Sequence, residues 1–473
     1  MLASEGNGWA DRDRRVWHQM SGRPAEGAKG PLILAEGDGA WVTDVDGNRY
    51  LDGLSGQWCV NVGYGRERLA DAAAQQLKRL AFHPLTRGHV PAIELGERLD
   101  GLLGGERATF YSNSGSEANE LAFKLVRQYH QLRGESQRFK IIARYRAYHG
   151  STLGALSATG QAMRRVGYEP LAPGFLHVAP PDPFRDGIAA DDLDDYGRRC
   201  AAELERTIEF ELPETVAAVI MEPIITGGGI LIPPDSYLPA VKELCERHGV
   251  LLIVDEVICG FGRVGSWFGH EDSGVRPDIV TMAKGITGAY FPLAATVVDE
   301  RIFAAFPSDP ADAGRLRHIN TFGGHPAGCA VALETIAIME EEGLLERSAS
   351  LGATLLARLQ DALGDNPLVG EVRGRGLLIG IELVADRATR APAERAVSAG
   401  MVAAAQARGL LVGRNVDTAA GLDNVIALAP PLSMTDADAD HIVETLSACF
   451  AERAAGVRGS REALPVTSDS EAE

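Results

Sequence analysis

An α/β fold is expected, a mostly parallel sheet covered by helices on both faces with a small α+β unit beside it. Three observations lead there. Short apolar runs such as "VAAVIME" (216–222) and "VLLIVDE" (250–256) show no polar alternation, as in strands buried on both faces. Amphipathic stretches such as "EANELAFKLVRQYHQLRG" and "DSYLPAVKELCERHG" separate such runs, as the crossover connections of a parallel sheet require. The length of 473 residues allows two or three domains, or one large domain with a smaller companion.

In chain order, "WVTDVDGNRYLDG" (41–53) alternates about Asp46-Gly47, a hairpin signal. Strands are then expected at "ATFYSN" (108–113), "KIIAR" (140–144), 216–222, 250–256, "DIVTMA" (278–283) and "LAATVVD" (293–299). After residue 320 a long helical stretch (about 326–363) leads to "LVGEVRGRGLLIGIELV", another helix, "LLVGR" and "VIALAPPL". The expected division is a large domain at 66–320 and a small domain at 321–455, which the N-terminal segment 1–65 joins. The small, polar stretch 456–473 is read as a disordered tail.

A formal net charge of −19 argues against nucleic acid and anionic membranes, which need basic patches. The six cysteines are scattered, with no metal-ligand spacing, so a reduced compartment and no metal are expected. The first residues are too polar for a secretory signal, and no apolar run approaches the roughly 20 residues of a membrane span. A cytoplasmic location follows as the expectation.

Chemistry concentrates at strand ends. In "SNSGSEANELAFKL" (112–125) a strand gives way to Ser114-Gly115-Ser116 and then a helix from about Glu117. Free amides and the helix dipole suit a phosphate there, with the hydroxyls of Ser114 and Ser116 completing a cradle; an ordinary N-cap is the alternative. Asp255 ends an apolar strand at the carboxyl edge, where open α/β sheets place ligands. A salt-bridged structural aspartate reads the same way, and Glu256 is either a second acid or a loop anchor. Tyr148, His149 and Gly150 follow another strand and form either a stacking surface or a turn. Lys284 closes "DIVTMAK", reaching water or held for its amine, which becomes a nucleophile toward carbonyls when its pKa falls. The coincidence decides between these readings. A phosphate cradle, an acid, an aromatic and a lysine on one sheet edge are the four groups that pyridoxal phosphate needs.

At this point the chain resembles the class III (subgroup II) aminotransferases of fold type I, over about residues 10–450. The motifs "SNSGSEANE", "YHG", "MEPI", "VDEVICGFGR", "MAKG" and "NTFGGHPAGCA" recur in the family's order. The resemblance implies an aspartate aminotransferase-like architecture, with a mostly parallel seven-stranded sheet in the large domain. It implies that Lys284 carries the cofactor and moves the substrate proton, while Asp255 keeps the pyridine nitrogen protonated. Tyr148 and Val257 would take the two ring faces, and Gly115 and Ser116 the phosphate. Thr321 would reach that phosphate from a neighbouring subunit, making a homodimer with shared sites, or a tetramer. Ser114, His149, Glu222 and Ile258 fall among the implied cofactor contacts.

Two departures narrow the branch. Five residues after Glu222, ornithine- and 4-aminobutyrate-type members carry a glutamate that pairs with a switching arginine; here that position is Gly227. Their "DEVQTG" is "DEVICG" here, with Ile258 replacing glutamine. Both features, with Trp58 as a pocket aromatic and Arg414 as the mobile arginine, resemble the ω-amino acid:pyruvate branch. The longer loop after Arg414 looks most like its taurine–pyruvate members. The expected reaction moves an amino group from a taurine- or β-alanine-type donor to pyruvate by a ping-pong cycle. Alternatives are another amine or biosynthetic aldehyde or ketone with 2-oxoglutarate, a mutase or racemase on the same fold, or a binding protein with a decayed site. The glycine run "TGGGI" (226–230) lacks the strand, helix and acidic partner of a nicotinamide site.

Overall fold

The computed structural model describes residues 8–23, 30–419 and 421–462. Seven strands form one sheet in the order Arg107–Ser112, Ala294–Asp299, Ile279–Met282, Leu251–Asp255, Val216–Met221, Lys140–Arg144 and Phe175–Val178. The strand Ala294–Asp299 runs antiparallel to both neighbours, and the pairs from Ile279–Met282 outward are parallel. Six strands therefore end at one edge. The central strands Val216–Met221, Leu251–Asp255 and Ile279–Met282 are buried at every position, which is why their sequences show no alternation.

The seventh strand, Phe175–Val178, was not among the runs singled out in the sequence. It is half-buried throughout and only four residues long, so it lacks the apolar density of the central strands.

The expected helical stretch at about 326–363 consists of two helices, Pro326–Glu341 and Leu344–Leu363. Gly343 breaks it by adopting a left-handed conformation (φ 59°) at the N-cap of the second. Within that second helix, a Cβ on Gly352 would lie 2.1 Å from the carbonyl oxygen of Gly376, the turn between the strands Val369–Arg375 and Leu378–Asp386. Alanine ordinarily favours a helix over glycine by about 1 kcal/mol. Here the backbone contact reverses the sign, and Gly352→Ala is expected to cost about 1–3 kcal/mol in urea denaturation.

The N-terminal hairpin forms as expected, Trp41–Asp44 against Arg49–Asp52, and the latter pairs in parallel with Leu410–Leu411. Trp41 Nε1 also donates to Asp438 at 2.8 Å, tying the hairpin to the last helix. That helix spans Asp436–Glu462, so the start of the segment expected as a tail is helical; residues 463–473 lie outside the described residues. No helix among the described residues is long and apolar enough to cross a membrane.

Candidate active site

The turn after Arg107–Ser112 is built by a cap. Ser114 is the N-cap of the helix Gly115–Leu132, accepting from the Glu117 amide at 3.3 Å, and Glu117 reaches back to the Asn113 amide at 2.7 Å. The helix thus begins two residues before the sequence suggested, and the Ser114 oxygen serves as its cap while the hydroxyl keeps a hydrogen to donate. What remains is the helix's positive end, where the first backbone N–H groups lack partners within the helix. Ser116 Oγ lies beside it, accepting from the Ser151 amide at 3.1 Å with its own hydrogen free to donate.

Asp255 sits at the end of its strand, 3 % exposed. Oδ2 accepts from Asn119 Nδ2 at 2.8 Å and meets His149 Nδ1 at 2.9 Å, and Oδ1 accepts from the Val257 amide at 3.1 Å. Asn119, which the sequence did not single out, is itself oriented by Thr281 Oγ1 at 2.7 Å. Its signal was present in "SEANE": it stands three residues after Ser116, on the same helix face. Glu256 is a loop anchor, accepting from the amides of Gly269 and His270 and facing His270 Nδ1 at 2.7 Å.

Val257 joins the parts. It packs on Ala118, Ala283 and Ala294, and a Cβ on Gly115 would fall 2.9 Å from its Cγ2. The Ser114–Ser116 turn, Asp255 and the strand end at Lys284 are thereby brought together. Lys284 has a left-handed backbone (φ 51°), a strained choice for a side-chain-bearing residue. Its Nζ lies 5.6 Å from the centre of the Trp58 ring. Burial pushes its pKa below the usual 10.5, against the opposing pull of Cys59, Asp255 and Glu222. Because the unfolded chain then binds the extra proton, the contribution of Lys284 to the stability of the cofactor-free protein rises with pH up to about 10.5. Lys284→Met is expected to flatten that rise in paired pH-dependent melts.

Glu222 is buried and its pKa is raised by that burial. Oε1 accepts from the Tyr148 amide at 3.1 Å, and Oε2 from the Thr226 amide and hydroxyl at 3.1 and 2.7 Å. A Cβ on Gly227 would stand 3.3 Å from Gln161 Nε2 and 3.7 Å from Tyr148 Cβ, so this glycine adjoins the expected aromatic. Arg164, also missed in the sequence, rests over the Tyr148 ring at 5.3 Å. It donates to Gln161 Oε1 at 2.5 Å and to the Val416 carbonyl at 3.4 Å, linking Tyr148 to the loop after Arg414.

The other expected residues are less tightly tied in. Ile258 is buried beside Val257. Trp58 Nε1 and Arg414 Nη1 are buried without hydrogen-bond partners. Thr321 is exposed, next to Asn320, which bonds to Asn113 and Glu117 on either side of the Ser114–Ser116 turn. Among the described residues, the sole grouping with metal-ligand geometry is Glu205, Glu209 and His248, outside this site.

A strand-end lysine, a buried aspartate lined with donors and a glycine cradle at a helix start fit pyridoxal phosphate, and with the seven-stranded sheet they define a fold type I enzyme of that cofactor. The chain belongs to the class III aminotransferases, whose family model matches residues 24–450. It is 57% identical to YhxA, an uncharacterized aminotransferase of Bacillus subtilis, over 92% of this chain and 94% of that one. It is 44% identical to the taurine–pyruvate aminotransferase of Bilophila wadsworthia, covering 92% and 95%. It is 37% identical to the putrescine–pyruvate aminotransferase of Pseudomonas aeruginosa, covering 91% and 92%. Among solved structures, an aminotransferase of Bacillus anthracis superposes with a TM-score of 0.91 at 49% identity, covering 96% of this chain and 100% of that one. An omega transaminase of Pseudomonas jessenii in complex with PMP gives 0.90 at 35% identity, covering 95% and 99%. The protein is therefore a pyridoxal phosphate-dependent aminotransferase acting on small amines and keto acids.

Proposed function

We propose that the enzyme moves the amino group of an ω-amino acid with an anionic far end, taurine or β-alanine in type, to pyruvate, giving alanine. The observation that carries this reading is a free cation. Arg414 has no carboxylate within ion-pair distance among the described residues, and Asp417 and Asp423 on its own loop face Arg395 instead, at 3.2 and 3.5 Å. Burial and the nearby Arg395 lower its pKa, and the more distant charges of Asp423 and Asp417 offset them only in part. An arriving sulfonate or carboxylate relieves that cost through a bidentate pair. The glutamate that would neutralise an arginine in other branches is Gly227 here, and Arg164 over Tyr148 likewise lacks an ion pair among the described residues.

When bound, pyridoxal phosphate supplies the electron sink that acidifies the C–H bond beside the amine. Lys284 holds the cofactor and then carries the proton between substrate and cofactor carbons, a task suited to an amine whose pKa is lowered. Asp255 keeps the ring nitrogen protonated, with Asn119 and His149 fixing its oxygens. Gly115 and Ser116 receive the phosphate, Tyr148 and Val257 take the ring faces, and Glu222, His149 and Ile258 line the bed. Trp58 bounds the substrate side, near Lys284. Thr321 completes a partner's phosphate site in a homodimer, an assignment supported by its exposure among the exposed apolar residues Ile319 and Phe322. The reading keeps the domain division at residue 320 and a cytoplasmic location, in keeping with six free cysteines.

A half-reaction tests the donor. Mixing the loaded enzyme with taurine, β-alanine or putrescine in the absence of keto acid is expected to bleach the visible absorbance with the first two most rapidly. No bleaching with either acid would remove this reading. Arg414→Ala is expected to raise the KM for both acids at least about tenfold, the loss of a charge-assisted pair, in steady-state assays against pyruvate.

A further inference from the structure

In the turn Thr226–Ile230 the three central glycines have no side chains to pack, yet the turn's backbone is held from two sides. We infer that Arg373 and Arg146 are positioning residues that clamp its backbone and so set the depth of the donor pocket at Gly227. The inference rests on reading Gly227 as a wall of that pocket.

Three successive carbonyls of the turn each accept from a buried guanidinium. Arg146 donates to Gly228 O through Nε at 3.1 Å and Nη2 at 2.8 Å. Arg373 donates to Gly229 O through Nη2 at 2.5 Å and to Ile230 O through Nε at 2.6 Å. Both arginines are anchored from behind. Arg146 Nη1 pairs with Asp182 at 2.5 Å, and Arg373 pairs with Glu382 at 2.6 Å and Glu371 at 2.7 Å. Glu382 is fully buried and also receives Arg185 and Asn424. The glycine at 228 makes the close approach possible, since a Cβ there would lie 2.3 Å from Arg146 O.

The clamp crosses between sheets. Arg373 stands on the strand Val369–Arg375 of the C-terminal sheet, whereas Arg146 follows the strand Lys140–Arg144 of the large one. At its other end the turn is tied through Thr226 to Glu222, and through Glu222 to the Tyr148 amide. Gln161 Nε2, which faces Gly227, donates to Arg146 O at 3.0 Å. A shift of either guanidinium therefore moves the wall at 227 together with the residues beside it. Buried ion pairs contribute little net stability on average, so fixing this geometry is the role that the carbonyl contacts favour. It requires a planar fork: one guanidinium spans two carbonyls and two carboxylates, which a lysine ammonium cannot do.

The test compares Arg373→Lys and Arg373→Met with wild type as loaded holoenzymes, using whichever ω-amine the wild type deaminates fastest. Failure of the acid-donor reading therefore leaves the comparison intact. The lysine variant keeps a charge beside Glu382 and is expected to melt within a few degrees of wild type with an unchanged visible spectrum. In both variants the donor KM is expected to rise about tenfold with kcat within twofold, the mark of lost substrate positioning. A lysine variant with a donor KM within twofold of wild type, or with a fall in kcat alone, overturns the inference. Should the methionine variant fail to fold, the lysine variant decides by itself.

Discussion

Lys284→Ala is expected to abolish amino transfer, lowering kcat by about 10⁴-fold, the upper range for losing a positioned proton carrier. The expectation comes from where the amine stands. It closes a fully buried strand, its backbone is held in a left-handed conformation, and burial lowers its pKa. Strain and desolvation of this kind persist where surrounding structure imposes them, and they cluster at functional sites. A lysine serving only as a surface cation would occupy none of these conditions. The measurement is kcat with the best donor and pyruvate, with a melting curve of the cofactor-free protein as control. Removing this half-buried amine is expected to leave that curve unchanged or raised near neutral pH, because the desolvation cost vanishes with it. Loss of activity from unfolding would instead appear as a lowered melting temperature.

The second large effect is at Asp255. Asp255→Asn keeps the shape and removes the charge, and is expected to lower kcat by about 10³-fold, equivalent to about 4 kcal/mol if the ring nitrogen loses three pKa units of support. The surroundings sharpen the test. Both aspartate oxygens face donors, from Asn119, His149 and the Val257 amide. An asparagine offers one oxygen and one NH₂, so one of those donors meets another donor. A stability loss of about 1–3 kcal/mol is expected alongside the kinetic one. Asp255→Glu retains the charge but lengthens the arm within a buried pocket, and should recover part of the rate only if charge, more than exact placement, is what the site requires.

Much of this was legible in the sequence because the central strands are buried on both faces and leave continuous apolar runs. The strand-end groups followed, since Asp255 ends such a run and Lys284 and Tyr148 lie within a few residues of the ends of theirs. What escaped has a physical reason. Phe175–Val178 is an edge strand, half-buried, and its four residues do not exceed the background of a loop. The break at Gly343 hides inside a helical pattern because the periodicity resumes immediately in the next helix. Ser114 presented two chemistries with one sequence, and the bond it accepts from the Glu117 amide shows the cap, which leaves its hydroxyl hydrogen free. The contacts of Arg164 could not be read at all. Its link to Val416 spans 252 positions, and such pairings are set by the packing of separate segments rather than by any local pattern. The same holds for the carbonyl clamp, where Arg373 meets Gly229 across 144 positions.

The most direct measurement concerns the covalent seat of the cofactor. Purified holoenzyme is treated with borohydride, digested and mapped by mass spectrometry. A phosphopyridoxyl group on the peptide containing Lys284, absent from Lys284→Ala, is the result expected here. A label on any other lysine, with the 278–290 peptide unmodified, would contradict the account at its centre.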